Sequence, residues 1–136
     1  MDTIVTQEKV GAVSHLKEPA LGMVYKIGDL AREFDVTLRA LRFYEDRGLV
    51  TPERSGTTRL YSEQDRERLR IALFCKRIGL SLGEIGEMLD LHEYEEHGDS
   101  MNKIRDVYSL QLKSLREKQQ ETEKTIADLE TAIESL

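Results

Sequence analysis

The stretch of sequence that decides the fold runs from Tyr25 to Leu82, and its first part, residues 25–61, reads YKIGDLAREFDVTLRALRFYEDRGLVTPERSGTTRLY. Apolar residues at helical spacing predict a first helix over Ile27–Phe34 and a second over Arg39–Arg47, with a tight turn at Asp35-Val36. A small hairpin with an arginine on its returning strand follows. This order predicts a winged helix-turn-helix, a unit that offers side chains to the major groove of DNA.

Capping residues and glycines set the predicted helix boundaries. Thr37 can cap the second helix, and Gly48 can end it as a C′ glycine. Ser62 and Ser81 each begin a further helix through a capping-box pattern, the first of them predicted over 63–78. The apolar residues predicted to face the core are Ile27, Leu30, Ala31, Phe34, Leu38, Leu41, Phe43, Leu69, Leu73, Phe74, Ile78, Leu82, Ile85, Met88 and Leu89.

The wing is predicted from turn-forming residues between two short strand-like runs. Leu49-Val50 begin the first strand, Pro52–Thr57 form the tip, and Arg59-Leu60-Tyr61 return. An arginine and a tyrosine therefore lie on the returning strand.

A long helix is predicted over 101–136, after a polar linker at 93–100. Its seam positions alternate by four and three, which is the heptad spacing of a coiled coil. A helix of about 36 residues is a rod of about 54 Å, and it cannot bury its own seam, so we expect a homodimer. The alternative is that the helix folds back on its own domain. The apolar seam residues are Met101, Tyr108, Leu112, Leu115, Ile126, Leu129, Ile133 and Leu136.

Charge is divided unevenly along the 136 residues, whose net charge is −6. Residues 25–80 hold twelve Lys and Arg against nine Asp and Glu, whereas residues 81–136 hold six against fourteen. The front half is therefore basic, as contact with phosphates requires. Residues 1–24 show neither apolar periodicity nor a signal-peptide pattern and are predicted to be a disordered tail. No run of apolar residues is long enough for a membrane span, and Cys75 has no intrachain partner, so we expect a cytoplasmic protein.

The helices and the wing described above, from Tyr25 to Leu82, resemble those of the MerR-type bacterial transcription regulators. The resemblance implies a mainly α protein, in which a winged helix-turn-helix (residues 25–92) is followed by a long antiparallel coiled-coil dimerisation helix. It also implies a dimer that binds a two-fold operator in promoter DNA and distorts it, which acts indirectly on RNA polymerase. The segment from Phe43 to Tyr61 is similar to a subgroup that controls branched-chain amino-acid (isovalerate) or acyclic terpene breakdown. The matching stretches are Ile27–Ala31, Thr37–Glu45, Gly48-Leu49, Arg59–Tyr61 and Gly79–Ile85.

Two arginines of the second helix are the first candidates for DNA contact. Arg39 and Arg42 are three residues apart and share one helix face, and Arg39 is near the helix start, where recognition helices meet base edges. Arg39 is therefore expected to contact a base or a phosphate, and the alternative is a solvated side chain. Arg42 could instead form an ion pair with Glu45 or Asp46.

The resemblance adds the remaining candidates. It implies that Arg42 and Tyr44 clamp the DNA backbone and that Arg59 is the wing contact. Tyr44 could instead be a core residue, and Tyr61 could contact phosphate or pack under the wing. Lys26 and Thr37 are lesser candidates. We expect the remaining arginines of the segment to be surface charges; they are Arg32, Arg54, Arg66, Arg68 and Arg70.

We predict no catalytic residues, no cofactor and no metal site. The lone Cys75 lies in an apolar helix, which favours a buried, inert thiol over a redox role. The run from His92 to His97 has i, i+4 pairs that could bridge a cation, but a solvated acidic linker is the favoured interpretation. A small-molecule effector, if one exists, is expected around 89–108. The sequence leaves open two other functions: an architectural or excisionase-like DNA binder without an effector, and a coiled-coil adaptor.

Overall fold

The computed structural model describes residues 24–93 and 98–136. Three short strands and five helices form this part of the chain, and most of its residues are helical. We found no helix in these two ranges whose length and hydropathy would let it span a lipid bilayer. In chain order the elements are β1 (Val24–Lys26), α1 (Ile27–Phe34), α2 (Leu38–Asp46), β2 (Glu53–Ser55), β3 (Thr58–Ser62), α3 (Glu63–Arg77), α4 (Leu82–Glu93) and α5 (Gly98–Glu134).

The first two helices and their turn form as predicted. Leu30 of α1 is fully buried, and Asp35 ends the helix in the left-handed conformation with φ of 55°. The Thr37 hydroxyl accepts a hydrogen bond from the Ala40 N–H at 3.0 Å and so caps α2. Gly48, with φ of 76°, ends α2 because few other residues tolerate that backbone angle.

The predicted inward face of α2 is wrong at two positions. Leu41 and Tyr44 are buried, but Leu38 and Phe43 are 39% and 42% exposed. Phe43 follows Leu41 by two residues, which places it on nearly the opposite side of the helix from Leu41. Leu38 is the first residue of α2 and precedes its first buried residue, Leu41.

The wing belongs to a three-stranded antiparallel sheet in the order β1-β3-β2. Ser55 pairs with Thr58, so the tip is the two-residue turn Gly56-Thr57 and is shorter than predicted. The predicted strand start at Leu49-Val50 is wrong, because Val50 is a buried core residue that precedes the strand. The strand β1 was not predicted, because its three residues are too few to show the alternation of a strand.

Two capping boxes position the helices behind the wing. Ser62 and Asp65 exchange two hydrogen bonds of 3.0 Å at the start of α3, and Ser81 and Glu84 exchange hydrogen bonds of 2.7 and 3.2 Å at the start of α4. The Ser81 N–H also lowers the pKa of the Glu84 carboxyl. Gly79, with φ of 98°, ends α3 as predicted.

The long helix α5 begins earlier than predicted, at Gly98, and its first turns belong to the core. Ile104 is buried, and Met101, Val107 and Tyr108 pack against the same core. Met101 and Tyr108, which are predicted to face a second chain, pack at least in part against the core of their own chain, as the alternative of folding back requires for the first turns of this helix. The apolar seam residues from Leu112 onward are exposed; they are Leu112, Leu115, Ile126, Leu129, Ile133 and Leu136.

The two leucines of α2 provide a matched test of this packing. We expect Leu41→Ala to lower the free energy of unfolding by about 2–5 kcal/mol, because it leaves a cavity in a fully buried site. Leu38→Ala removes the same atoms from an exposed site and should change that free energy by about 0.5 kcal/mol. Urea denaturation measures both values, and an equal loss for the two variants would contradict the assigned faces of α2.

Candidate nucleic-acid interface

A basic cleft lies between the start of α1, the recognition helix α2 and the wing. It brings together three predicted contact residues, Lys26, Arg42 and Arg59, which come from three different elements. Arg32 of α1 also lines the cleft, although the sequence analysis gave it no role. The full lining is Lys26, Ile27, Gly28, Asp29, Arg32, Arg42, Thr57, Thr58 and Arg59.

Carboxylates hold two of the cleft's arginines in place. Asp29 accepts a hydrogen bond from Arg32 at 2.7 Å and another from the Lys26 N–H at 3.0 Å. Glu45 of α2 accepts from Arg59 Nε at 2.5 Å and from Arg54 at 3.2 Å, which ties the wing to the recognition helix. The Asp29/Arg32 pair could have been found from its i, i+3 spacing, whereas the Glu45 pairs join residues nine and fourteen positions apart.

Arg39 and Arg42 are exposed on α2, three residues apart. Among the described residues neither has a carboxylate partner, so the alternative in which Arg42 pairs with Glu45 or Asp46 does not occur here. Thr37 is exposed, but its hydroxyl oxygen already accepts the capping hydrogen bond. Both arginines of α2 therefore project toward solvent, and Arg42 also lines the cleft.

Tyr44 and Tyr61 do not face solvent as phosphate contacts would. Tyr44 is 5% exposed and Tyr61 is fully buried, so the prediction that they contact phosphate is corrected to core packing between α2 and the wing. The Tyr61 hydroxyl has no hydrogen-bond partner within the described ranges. Burial, reinforced by the nearby Glu45 charge, raises the pKa of Tyr61 to about 12.

Arginines of α3 act as structural ties between elements. Arg66 pairs with Glu33 of α1 and with Glu63, and these carboxylates raise the pKa of its guanidinium. Arg68 donates to the Leu49 carbonyl at 2.7 Å and also pairs with Glu93, the last residue of α4. These arginines are therefore not solvated surface charges.

A buried polar group lies where α3, α4 and α5 meet. His92 was predicted to be in a solvated linker, but it is buried at the end of α4, and burial lowers its pKa to about 4. Its Nε2 is 3.5 Å from the Tyr108 hydroxyl. Cys75 is fully buried, and burial raises the pKa of its thiol to about 11, which favours the inert interpretation.

The run from His92 to His97 is the stretch whose i, i+4 pairs could bridge a cation. Glu96 and His97 lie outside the described residues. Within residues 24–93 and 98–136, no three His, Cys, Asp or Glu side chains lie close enough together to hold a metal ion.

Comparison with known proteins agrees with this geometry. A family profile described as "MerR HTH family regulatory protein" matches residues 25–92, and one described as "MerR, DNA binding" matches residues 66–134. The chain is 32% identical to the HTH-type transcriptional regulator ZntR of Escherichia coli K12 over 115 residues, which cover 83% of this chain and 76% of ZntR.

Two further similarities come from a curated relative and a solved structure. A ZntR homolog of Haemophilus influenzae is 33% identical over 84 residues, and this match spans 60% of this chain and 62% of that protein's length. The N-terminal part of Mta, the multidrug transporter activator of Bacillus subtilis, has a crystal structure that matches with a TM-score of 0.61 and 32% identity. That match covers 80% of this chain and 97% of the solved one.

The buried tyrosine of the wing gives a direct test of the corrected interface. We expect Tyr61→Phe to leave affinity for DNA within about twofold and to keep or raise the free energy of unfolding by up to about 1 kcal/mol. The reason is that the change removes a buried hydroxyl that has no partner in the described chain. Gel-shift titration and urea denaturation measure the two effects, and a tenfold loss of DNA affinity would restore Tyr61 as a phosphate contact.

Proposed function

We propose that this protein, which belongs to the MerR family of helix-turn-helix regulators, binds a two-fold promoter operator as a homodimer and controls transcription by distorting that DNA. Membership of the family makes it a DNA-binding transcription regulator and not an enzyme. The observation that carries the fuller proposal is the basic cleft beside α2, where Lys26, Arg32, Arg42 and Arg59 converge.

In the proposed complex α2 lies in the major groove and the wing lies along the adjacent backbone. Arg39, near the start of α2, would reach base edges or a phosphate, and Arg42 and Arg59, which line the cleft, would contact phosphates. Phosphate contacts orient a protein on DNA, while base contacts specify the sequence. Because few side chains of α2 can read bases, the shape and deformability of the operator should carry much of the specificity.

The second half of α5 supplies the proposed dimer contact. Its seam leucines and isoleucines are exposed in the single chain, and burying them against a second copy would be favourable by roughly 25 cal/mol per Å². An antiparallel pairing of two such helices would hold two heads at a fixed separation, where the head is residues 24–93 of each chain together with the first turns of α5. That separation would match half-sites on one face of a palindromic operator.

The head is joined firmly to the rest of α5, from Leu112 onward, so that the two move together. Gln111 of α5 donates to the Ile78 carbonyl at the end of α3 at 2.6 Å, and Tyr108 packs edge-on against Phe74 with ring centroids 5.7 Å apart. We therefore propose that a change at this joint alters the relative orientation of the two heads, which bends or untwists the bound DNA. A small-molecule effector around 89–108 would act there through its different affinity for the two states.

Two narrower proposals rest on the sequence. The similarity of the segment from Phe43 to Tyr61 suggests target genes of branched-chain amino-acid or acyclic terpene breakdown. A cytoplasmic location follows from the proposed role at promoter DNA. RNA polymerase would be affected through the shape of the promoter and would need no direct contact with this chain.

The two cleft arginines test the proposed phosphate contacts. With an operator obtained by footprinting of the gene's own upstream region, we expect Arg42→Ala and Arg59→Ala each to weaken binding. Each change should also reduce the slope of log affinity against log salt by about one unit, because one fewer counterion is released. Fluorescence anisotropy at several salt concentrations measures the slope.

The matched control for this experiment is Lys124→Ala, which removes one positive charge from an exposed position of α5. Its salt slope should equal that of the unmodified protein. If the arginine variants also kept the full slope, Arg42 and Arg59 would not be phosphate contacts.

Two leucines of α5 test the proposed dimer. Leu129 lies in the heptad seam and Leu110 lies outside it, and both are well exposed in the single chain, at 60% and 70%. We expect Leu129→Glu to give a monomer with greatly weakened operator binding, because a buried unpaired carboxylate opposes association. Leu110→Glu should remain a dimer. Sedimentation equilibrium measures the mass, and a dimer for both variants would mean that the seam is not the interface.

A further inference from the structure

Phe43 is an exposed aromatic ring on the face of α2 that the proposed function turns toward DNA. Its side chain is 42% exposed, although the sequence pattern predicts that it faces the core. Arg39 precedes it by four residues, so the two side chains are separated by only about 40° around the helix and share one face. A large apolar group is thus displayed among the cations of the recognition helix.

The ring is held in position by two neighbours. The Arg47 guanidinium lies over its face, 5.0 Å from the ring centroid. Tyr44, which is buried, meets it edge-on with centroids 5.7 Å apart and an interplanar angle of 77°. One contact comes from the core and the other from a cation, and they fix the direction of the ring while leaving its outer part uncovered.

The chemistry of the ring restricts what it can recognise in the groove. Phenylalanine has no hydroxyl, so it cannot donate a hydrogen bond to phosphate or accept one from a base. The major groove displays one apolar group, the 5-methyl of thymine, and apolar side chains contact it there. The exposed cations Arg39, Arg42 and Arg47 around the ring complement DNA and oppose docking of another basic surface.

We infer that Phe43 is a specificity-determining residue that packs against a thymine 5-methyl group in each operator half-site, with Arg47 as the positioning residue that orders the ring. This inference rests on the proposed function, since it requires α2 to lie in the major groove. It assigns a direct sequence preference to α2, in addition to the shape readout proposed above. Each half-site should therefore contain one thymine whose methyl group matters and whose hydrogen-bonding edge does not.

The test replaces each thymidine of the operator with deoxyuridine, one symmetric pair of positions at a time. This substitution removes the methyl group and keeps every hydrogen-bonding atom of the base. For the unmodified protein we expect one position at which affinity falls about ten- to twentyfold, as for the loss of two buried methyl groups, one in each half-site. Fluorescence anisotropy at fixed salt concentration measures each duplex.

Variants at Phe43 and Arg47 test whether the preference for the methyl group depends on the Phe43 ring. Phe43→Ala should bind the thymidine and deoxyuridine operators equally, whereas Phe43→Tyr, which keeps the ring, should still distinguish them. Arg47→Gln should reduce the discrimination because it removes the stacked cation. Val24→Ala, which trims an exposed apolar residue of β1, should leave the discrimination unchanged. Thermal unfolding by circular dichroism confirms that each variant is folded.

The outcomes separate this inference from the proposed function. If the operator is bound with the expected salt slope but no deoxyuridine position changes the affinity, the inference is wrong and the proposed function stands. If Phe43→Ala still shows the same methyl preference, another side chain reads that group and the inference is again wrong. A protein that binds no duplex at low salt would overturn both.

Discussion

The carboxylate of Glu45 fixes the recognition helix and the wing in one arrangement, and the basic cleft depends on it. The Glu45 side chain is 15% exposed and accepts hydrogen bonds from Arg59 and Arg54 of the two wing strands. A largely buried carboxylate is costly to leave unpaired, so the wing cannot move away from α2 without losing both pairs. Arg59 is thereby ordered before DNA arrives, which reduces the conformational entropy that binding must remove. The pairing also offsets part of the positive charge. Arg59 is therefore better ordered, but the cleft attracts phosphates less strongly than unpaired arginines would.

The same reasoning applies to the joint between the head and α5. Ile104 and Tyr108 contribute to the core of the head, and the Gln111 side-chain amide donates a hydrogen bond to the Ile78 carbonyl. Burial of these residues makes the first turns of α5 part of the head, while the rest of the helix remains exposed. Arg68 extends this rigid unit, since it links the Leu49 carbonyl after α2 to Glu93 at the end of α4. In the proposed dimer the heads would therefore move as units, and the bound DNA would be the part that deforms.

The sequence predicted the features of this fold that depend on neighbouring residues. Thr37 and Ser62 form the expected caps, and Gly48 takes the expected left-handed angle, because each is decided by a few adjacent backbone groups. The features that the sequence left open or did not predict depend on contacts between distant parts of the chain. The burial of Tyr61 and the pairing of Glu45 with Arg59 are set by how the wing folds onto α2, and the strand β1 exists only because β3 is there to pair with it.

The exposure of Phe43 on α2, where the sequence pattern predicts burial, indicates a functional site. Burying Phe43 would be favourable, so its display among cations is a local conflict of the kind that natural sequences keep at functional sites. The charge of α4 also favours α2 as the face that meets DNA. Residues 81–93 carry Glu84, Glu87, Asp90 and Glu93 and no Lys or Arg, and none of these acidic residues lines the cleft. Phosphates are repelled from α4 and attracted to the cleft, so repulsion as well as attraction would select the orientation in which α2 meets DNA.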